Sequence, residues 1–355
     1  MRILIVGAAV IGLGACASDT LRHPRAFGTD CQSLRAQAGA DVTCVRVFYG
    51  TNRAIGATAT GAEEVDVNHI GRGAAETLRL GRADVWLPRL KQDGTTLRQP
   101  GEDLLLTGEP PQDPDELEHY MLITRITAQG EEQFVRELGE VVNDDEDGRS
   151  ILLFIHGFNV GFDSALIRSA QLAVDLKQDE TFNPGAPVLF SFPSLGSMTP
   201  WDYIRDRHQA DRAVPHLNAF LDLLLDEVRP RRINIIAHSM GNRMLTDALK
   251  VYARNRLSEG QPSDVEFRII MAAADVDRDV FGLVAGRLDR LAPNVTVYAS
   301  DNDAALWVSR IMNLAVDPRL GQTDGDRPWI RNAAGYTTID AATVSTALFG
   351  FGHGY

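Results

Sequence analysis

Residues 232–242, which read RINIIAHSMGN, decide the fold of this chain. A short apolar run leads into Ser239, and a helical pattern begins directly after it. A buried strand, a tight turn with a serine at its tip and a helix form a nucleophile elbow, and the turn needs small residues two positions on either side of the serine. Ala237 and Gly241 occupy these positions. We therefore predict that Ser239 is a nucleophile; the alternative is a serine that caps the helix.

Apolar runs of strand length alternate with helical patterns on both sides of the elbow. The predicted strands are 150–155, 187–192, 232–237, 266–272, 294–299 and 336–340, and the predicted helices are 131–142, 162–177, 201–228 with a break at Pro215, 240–256 and 304–313. Continuous apolar strands are typical of a parallel sheet that is buried on both faces. The sequence therefore predicts an α/β fold with one doubly wound, mostly parallel sheet.

Residues 42–130 have a different pattern from the rest. Strands are predicted at 42–49, 78–87 and 119–127, with loops through residue 75 and over 91–115, where breaker residues are frequent. We interpret 42–130 as an N-terminal β extension and 131–355 as the catalytic core of one domain, 42–355.

Composition excludes several classes of protein. The chain has 355 residues, of which 44% are hydrophobic and 23% are charged, so it is globular and not disordered throughout. A net charge of −13, with dispersed basic residues, argues against a nucleic-acid surface. Neither a glycine-rich phosphate loop nor zinc-ligand spacing occurs in the sequence. We expect neither a cofactor nor a metal.

The N-terminus has the pattern of a targeting segment. Arg2 precedes a short apolar stretch that is well below the roughly 20 residues needed to span a bilayer, and the small-residue box LGAC ends at Cys16. This pattern resembles a bacterial lipoprotein signal, 1–15, in which Cys16 becomes the diacylated N-terminus after cleavage, with 16–41 as a tether. The expected location is the cell envelope, at the outer membrane facing the periplasm; the alternative is an ordinary secretory signal.

Two further cysteines, Cys31 and Cys44, agree with export. An exported chain lies where disulfides persist, and a bridge between them would stabilise the fold by roughly 3 kcal/mol on the loop-entropy model. The alternative is a pair of free, buried thiols.

The oxyanion donors of such a site come from two backbone N–H groups. One belongs to the residue after the nucleophile, Met240, and the other comes from the loop after an earlier strand. His156-Gly157-Phe158-Asn159 follow the strand 150–155, so the Phe158 N–H is the second candidate. We interpret His156 as a residue that shapes the loop, while Asn159 either adds a side-chain hydrogen bond or fixes the turn.

The acid and the base follow the nucleophile in chain order. Asp275 and Asp277 come after one strand, and Asp301 and Asp303 come after the next. The usual location of the acid favours Asp303, with Asp277 or Asp275 as alternatives and Asp301 as a further one; a losing aspartate is expected to cap a helix. His353 is the only histidine that follows all four, so it is the predicted base.

Seven blocks, in order, resemble a bacterial α/β-hydrolase family of poorly characterised esterase- and lipase-like proteins, often described as a domain of unknown function. The blocks are VFYGTNR (47–53), LFIHGFN (153–159), the 162–171 helix, IAHSMGNR (236–243), AAADVDRDVF (272–281), SDNDAAL (300–306) and FGHGY (351–355). The resemblance covers about residues 45–355. It implies the α/β-hydrolase fold, a Ser–Asp–His site and an additional N-terminal β region. Within the first block, Arg53 either binds an acidic substrate group or, as we expect, pairs with the acidic surface.

The sequence thus predicts a lipid-anchored serine hydrolase that acts on small-molecule or lipid carboxylic esters through an acyl-enzyme. Two alternatives stay open. An acyltransferase or thioesterase uses the same triad, and a non-catalytic envelope lipoprotein would use the fold as a binding module. A long apolar lid is not evident in the sequence.

Overall fold

The structure is a computed structural model. It describes residues 42–55, 70–88, 121–144, 148–177, 182–194, 200–258, 265–282, 285, 294–300, 306, 309, 319–323 and 336–341. The predicted signal and tether and the predicted helix 304–313, apart from residues 306 and 309, lie outside these ranges.

Within the described residues, nine strands form a single sheet. They are β1 (Val42–Ile55), β2 (Ile70–Pro88), β3 (Leu122–Gln129), β4 (Ser150–Ile155), β5 (Ala186–Ser191), β6 (Arg232–His238), β7 (Glu266–Ala272), β8 (Asn294–Ala299) and β9 (Tyr336–Asp340). Their order across the sheet is β3-β2-β1-β5-β4-β6-β7-β8-β9. The six neighbouring strands β5, β4, β6, β7, β8 and β9 are all parallel, and β1 is parallel to β5. Strand β2 is antiparallel to both of its neighbours, β1 and β3. The predicted fold class, with its N-terminal strands, is confirmed.

Helices cover both faces of the sheet. They are α1 (Glu131–Asn143), α2 (Phe162–Lys177), α3 (Pro200–Leu223), which continues into a π-helical turn (Leu224–Val228), and α4 (Met240–Ser258). Alternate residues of β4 divide the core: Ile151, Leu153 and Ile155 pack with α1, α3 and α4 on one face. Leu152 and Phe154 pack with α2 on the other. Burial on both faces explains why the central strands have no polar alternation.

The N-terminal strands are longer than the sequence indicates. β2 begins at Ile70, although the glycine- and alanine-rich residues up to 75 were expected to form a loop. Ile55 pairs with Ile70 and Arg53 pairs with Ala74, so the pairing with β1 overrides weak strand propensity. The extension is therefore continuous with the core sheet, because β1 lies between β2 and β5.

The break expected at Pro215 is wrong, since α3 continues through it. Pro215 lies on the exposed side of the helix, where water can satisfy the carbonyl that the missing N–H leaves unbonded. None of the helices in the described ranges is long and apolar enough to cross a membrane.

The parallel strands place their carboxyl ends along one edge of the sheet. The turns after β4, β5, β6 and β7 lie there, and the Thr51-Asn52-Arg53 segment of β1 lies at the same edge because β1 runs parallel to β5. Ligands of doubly wound sheets bind beyond this edge. The predicted catalytic and oxyanion residues that the structure describes, Ser239, Met240, Phe158 and Asp277, lie there.

Candidate active site

Ser239 lies in the tight turn between β6 and α4. Its φ of 49° falls in the left-handed region, which residues with a side chain rarely adopt. Its N–H donates to the Ala272 carbonyl at 3.0 Å, and its carbonyl accepts the N–H groups of Asn242 at 3.1 Å and Asp275 at 3.2 Å. A strained residue persists only where its surroundings hold it. The turn is therefore fixed from both α4 and the end of β7.

The positions two residues before and two residues after Ser239 are occupied by small residues for different structural reasons. A Cβ on Gly241 would lie 2.5 Å from the His156 carbonyl oxygen and 2.7 Å from that of Ile155, so only glycine allows α4 to approach β4. Ala237 is a buried strand residue that pairs with Ile155 and Met271. The close backbone approach is thus on the helix side of the turn, and alanine is accommodated on the strand side.

Asn242 is a residue of the elbow that sequence reasoning missed. It is fully buried in the first turn of α4, and its Nδ2 lies 3.0 Å from the carbonyls of Ala237 and Ala272 and 3.3 Å from that of Ser239. One amide group thereby joins the end of β6, the turn and the end of β7. The signal in the sequence was an asparagine three positions after Ser239, in the first turn of the predicted helix.

The loop after β4 packs directly against the elbow. A Cβ on Gly157 would lie 2.8 Å from Ser239 Cβ and 3.0 Å from the His238 carbonyl oxygen. Phe158 follows, and its ring meets Tyr203 of α3 edge to face, with centroids 5.6 Å apart. Asn159 has a φ of 60°, so it fixes the turn through its backbone. The structure therefore brings the predicted Phe158 segment beside Ser239, while Met240 begins α4, where the first N–H groups lack helical partners.

His156 is buried and has the structural role expected of it. Its Nδ1 lies 2.9 Å from the Gly157 carbonyl, so the Nδ1–H donates there and Nε2 accepts the Ser191 hydroxyl at 3.0 Å. The ring stacks on Phe192, with centroids 4.5 Å apart. Burial, and after it the positive charge of Arg53, lowers the pKa of His156 to about 3. The imidazole is neutral at physiological pH and holds the loop instead of transferring protons.

The sequence suggested that Arg53 pairs with the acidic surface, but the structure places its side chain in the interior. Its side chain is among the largest fully buried ones. Nε donates to Ser191 Oγ at 2.9 Å, Nη1 to the Ser194 carbonyl at 3.3 Å and Nη2 to the Val160 carbonyl at 2.9 Å. The surface expectation fails because the end of β1 is covered by the loops after β4 and β5. The same burial argues against the alternative that Arg53 binds an acidic substrate group.

A second group of buried polar residues holds the same loop from α3. Asp206 is fully buried, and its carboxylate accepts the Ser194 hydroxyl and, at 3.4 Å, the Asn159 N–H. Ser194 Oγ also accepts the Val160 N–H at 3.2 Å. The loop is thus bonded at consecutive backbone groups. Ser191, Ser194 and Asp206 were not singled out in the sequence, because isolated serines and a helical aspartate carry no local signal.

On the opposite side of Ser239, Asp275 is the centre of a buried cluster. Tyr203 donates its hydroxyl to Oδ2 at 2.6 Å, and Ser309 donates its hydroxyl to Oδ1. Arg319 Nε lies 3.2 Å from Oδ1, close enough for an ion pair although without hydrogen-bond geometry. The side chains of Asp275 and Arg319 are each 4% exposed. Both oxygens of this carboxylate are engaged by structural partners.

Asp277 accepts backbone N–H groups. Its Oδ1 receives the N–H of Asp279 at 3.0 Å and that of Val280 at 3.3 Å, which is the capping of the short helical turn after it. This is the alternative role weighed for Asp277 in the sequence.

Several predicted residues lie outside the described residues: Asp301, Asp303, His353, Cys16 and Cys31. Their roles stay predictions. Cys44 is described and is disulfide-bonded, and the residue predicted to pair with it, Cys31, is one of those outside. In the part of the chain that is described, no group of three or more His, Cys, Asp or Glu side chains is arranged to hold a metal ion.

Comparison with known families agrees with this geometry. The model of a family described as alpha/beta hydrolase of unknown function (DUF900) matches residues 131–355. The match spans more than half of the chain, and the chain belongs to this family. The resemblance and the α/β-hydrolase fold predicted from the sequence are confirmed. A search of curated proteins found no match.

Proposed function

We propose that this member of the α/β-hydrolase family is a serine hydrolase that cleaves carboxylic esters. The observation that carries the proposal is the strained Ser239 turn, with its φ of 49° and the glycine loop of Gly157 packed against it. Strain of this kind, fixed by Asn242 and the end of β7, is typical of a nucleophile elbow, and Ser239 lies in its turn at the ligand-binding edge of the sheet, with 5% of its surface exposed. A serine that merely capped a helix would not need it.

The proposed reaction uses an acyl-enzyme. Ser239 Oγ attacks the ester carbonyl carbon while His353 takes the hydroxyl proton, and Asp303 holds the resulting imidazolium. The N–H groups of Phe158 and Met240 donate to the oxyanion. The tetrahedral intermediate collapses as the C–O bond to the alcohol breaks, and His353 returns its proton to the leaving oxygen. Water then attacks the acyl-enzyme by the same route, which releases the carboxylic acid and restores Ser239.

The test is Ser239→Ala. We expect the wild-type protein to hydrolyse short p-nitrophenyl esters and to be labelled by a fluorophosphonate, and the variant to do neither, because the attacking oxygen is gone. Ser169→Ala is the matched control. Ser169 is buried in α2, and its hydroxyl has no hydrogen-bond partner in the described residues, so its removal should leave activity and labelling unchanged. Labelling of the alanine variant at another residue would overturn the assignment.

The same acyl-enzyme can pass its acyl group to an alcohol, or arise from a thioester. Product analysis in the presence and absence of added alcohols distinguishes acyl transfer from ester hydrolysis. A comparison of thioester with ester substrates identifies a thioesterase. A wild-type protein that folds but takes no fluorophosphonate label would instead be a binding module.

We also propose that the protein is exported and acylated at Cys16, because the LGAC box ends there. The disulfide bond of Cys44 supports export, since disulfides persist in oxidising compartments. Cys16→Ser should move the protein from the membrane fraction to the soluble fraction and abolish incorporation of labelled palmitate. Retention in the membrane with undiminished label would contradict the proposal.

A further inference from the structure

The Arg53 guanidinium connects three segments that are far apart in the sequence. It extends from the end of β1 and bonds to Ser191 at the end of β5, to Ser194 after β5 and to Val160 in the loop after β4. Arg53 lies outside the family-matched residues 131–355. A residue of the N-terminal extension thus contacts the loop that packs against Ser239.

The hydrogen bonds of Arg53 go to groups that fix the backbone of the loop after β4. Val160 is held in both directions, since its carbonyl accepts from Arg53 and its N–H donates to Ser194 Oγ. Two residues earlier is Phe158, whose N–H is the proposed oxyanion donor. On the other side of Phe158, Gly157 abuts Ser239. The direction of the Phe158 N–H is therefore determined by contacts at both ends of a four-residue segment.

A second connection runs through Ser191. Its hydroxyl accepts from Arg53 Nε and, by donating to His156 Nε2, fixes the residue at which the loop leaves β4. Thr51 adds to this arrangement, because its hydroxyl donates to the Ser191 carbonyl at 2.6 Å and accepts the Arg53 N–H at 3.1 Å. Arg53 thus reaches both the first and the last residue of the segment 156–160.

We propose that Arg53 is a positioning residue for the oxyanion loop: by bonding Val160 and, through Ser191, His156, it holds the Phe158 N–H in the direction that stabilises the transition state. The inference rests on the proposed serine hydrolase function. The planar fork of arginine suits this role, because its nitrogens donate in three fixed directions, whereas a lysine ammonium is a single point of charge. Its bonds to Ser191, Ser194 and Val160 all go to groups of the protein, so the role that we propose is positioning and not contact with the substrate.

The experiment compares Arg53→Met and Arg53→Lys with Arg46→Met. Arg46 is on the same strand, but its side chain is 45% exposed and pairs with Asp84 at the surface, so its replacement should leave kcat and KM unchanged. For Arg53→Met we expect kcat for a p-nitrophenyl ester to fall about 100-fold, as a displacement of about 1 Å in a reacting geometry does, while KM changes less than about threefold. Arg53→Lys should fall between Arg53→Met and the wild type.

A readout that a merely structural role would not move is the affinity for a trifluoromethyl ketone, which forms a tetrahedral oxyanion adduct. Loss of positioning should weaken this affinity by the same factor as kcat/KM, while fluorophosphonate still labels Ser239 completely, but more slowly. Ethylguanidinium added to Arg53→Ala should restore part of kcat. A folded Arg53→Met protein with unchanged kcat, or with ketone affinity unaltered while kcat falls, overturns the inference.

Failure of the two proposals is distinguishable. A wild-type protein that takes no fluorophosphonate label refutes the serine hydrolase, whereas labelled wild type with fully active Arg53 variants refutes only the role of Arg53. If both Arg53 variants fail to fold, Ser191→Ala decides. It removes the hydroxyl between Arg53 and His156, and it should lower kcat about 10-fold at constant KM; unchanged kcat there overturns the inference.

Discussion

The two sides of Ser239 are held by different kinds of buried polar contact. On the oxyanion side, Arg53 and Asp206 bond mainly to backbone groups and serine hydroxyls of the loops after β4 and β5. On the side of β7, Asp275 and Arg319 pair their charges with each other. The first arrangement fixes the course of the backbone, and the second fixes side chains and the segment 319–323.

This difference bears on which carboxylate serves the histidine. Asp275 is a buried residue whose backbone N–H donates to the Ser239 carbonyl, so proximity alone would favour its carboxylate as the acid. Its oxygens, however, accept from Tyr203 and Ser309 and face Arg319. A triad acid must leave a lone pair for the imidazole N–H, and three structural partners already take up much of the capacity of the Asp275 carboxylate. We therefore assign Asp275 to the structure of the site and keep Asp303 as the proposed acid.

The largest expected effect tests that assignment. Asp303→Asn should lower kcat about 10⁴-fold, because an amide cannot hold the imidazolium in the required tautomer. Asp277→Asn is the matched control, since its side-chain oxygen can still accept the capping N–H groups, and its kcat should stay within about threefold of the wild type. Steady-state kinetics on a p-nitrophenyl ester measures both. Reversed outcomes for the two variants would make Asp277 the acid.

The next effect concerns the ion pair. Asp275→Asn should lower the free energy of unfolding by about 3–5 kcal/mol, because it leaves the Arg319 charge buried without its partner. The folded fraction should keep its kcat within about 10-fold. Urea unfolding of the single variants and of Asp275→Asn with Arg319→Met gives the coupling. A double variant as unstable as the sum of the singles would show that the charges do not interact.

The third prediction concerns the oxyanion side of Ser239, where the substitution adds a methyl group instead of removing a charge. Gly157→Ala would place a Cβ 2.8 Å from Ser239 Cβ, so the loop must move and kcat should fall about 100-fold. Gly139→Ala in α1 is the control: nothing lies within 4 Å of the added Cβ. It should raise stability by about 0.5–1 kcal/mol and leave kcat unchanged. Equal kcat in both variants would contradict the packing of loop and elbow.

The smallest effect is a pH dependence of stability. The pKa of His156 is about 3 in the folded protein, compared with 6.5 for an ordinary histidine, so between these values the unfolded chain binds a proton that the folded protein does not. Stability should therefore fall as the pH falls from 6.5 towards 3 and be unaffected by His156 above that window.

His156→Gln removes this titration. Between pH 7 and pH 5 the wild type should lose about 2 kcal/mol more of its unfolding free energy than the variant, as measured by urea unfolding at each pH. Equal losses in the two proteins would mean that His156 is not buried in its neutral form.

Much of the fold could be predicted from the sequence, because the local sequence signals agree with the tertiary structure. The bounds of β4, α2, β7, β8 and β9 follow from apolar runs between clear breakers, as predicted. The prediction was wrong at residues 70–77 and Pro215. Pairing with β1 in the first case, and exposure to solvent in the second, decide the outcome, and neither is encoded in a local window.

The candidate site divides in the same way. Ser239 and the loop at Gly157 were predictable, because a strained turn and a close backbone approach require particular residues at particular spacings. The residues that hold them were not. Arg53 is 138 positions from Ser191, and Tyr203 is 72 from Asp275, so these contacts exist only once the sheet is assembled.

The position of β1 inside the sheet has a consequence for biosynthesis. β1 is the first of the described strands to be made and can pair with β2 early, but its other neighbour, β5, ends at Ser191, so the bond between the extension and the core sheet forms only after the chain to that point has been synthesised. A protein started at residue 131 would expose the N–H and C=O groups of the β5 edge, a template for pairing with other chains. We therefore expect the family-matched segment, 131–355, to aggregate when made without residues 42–130.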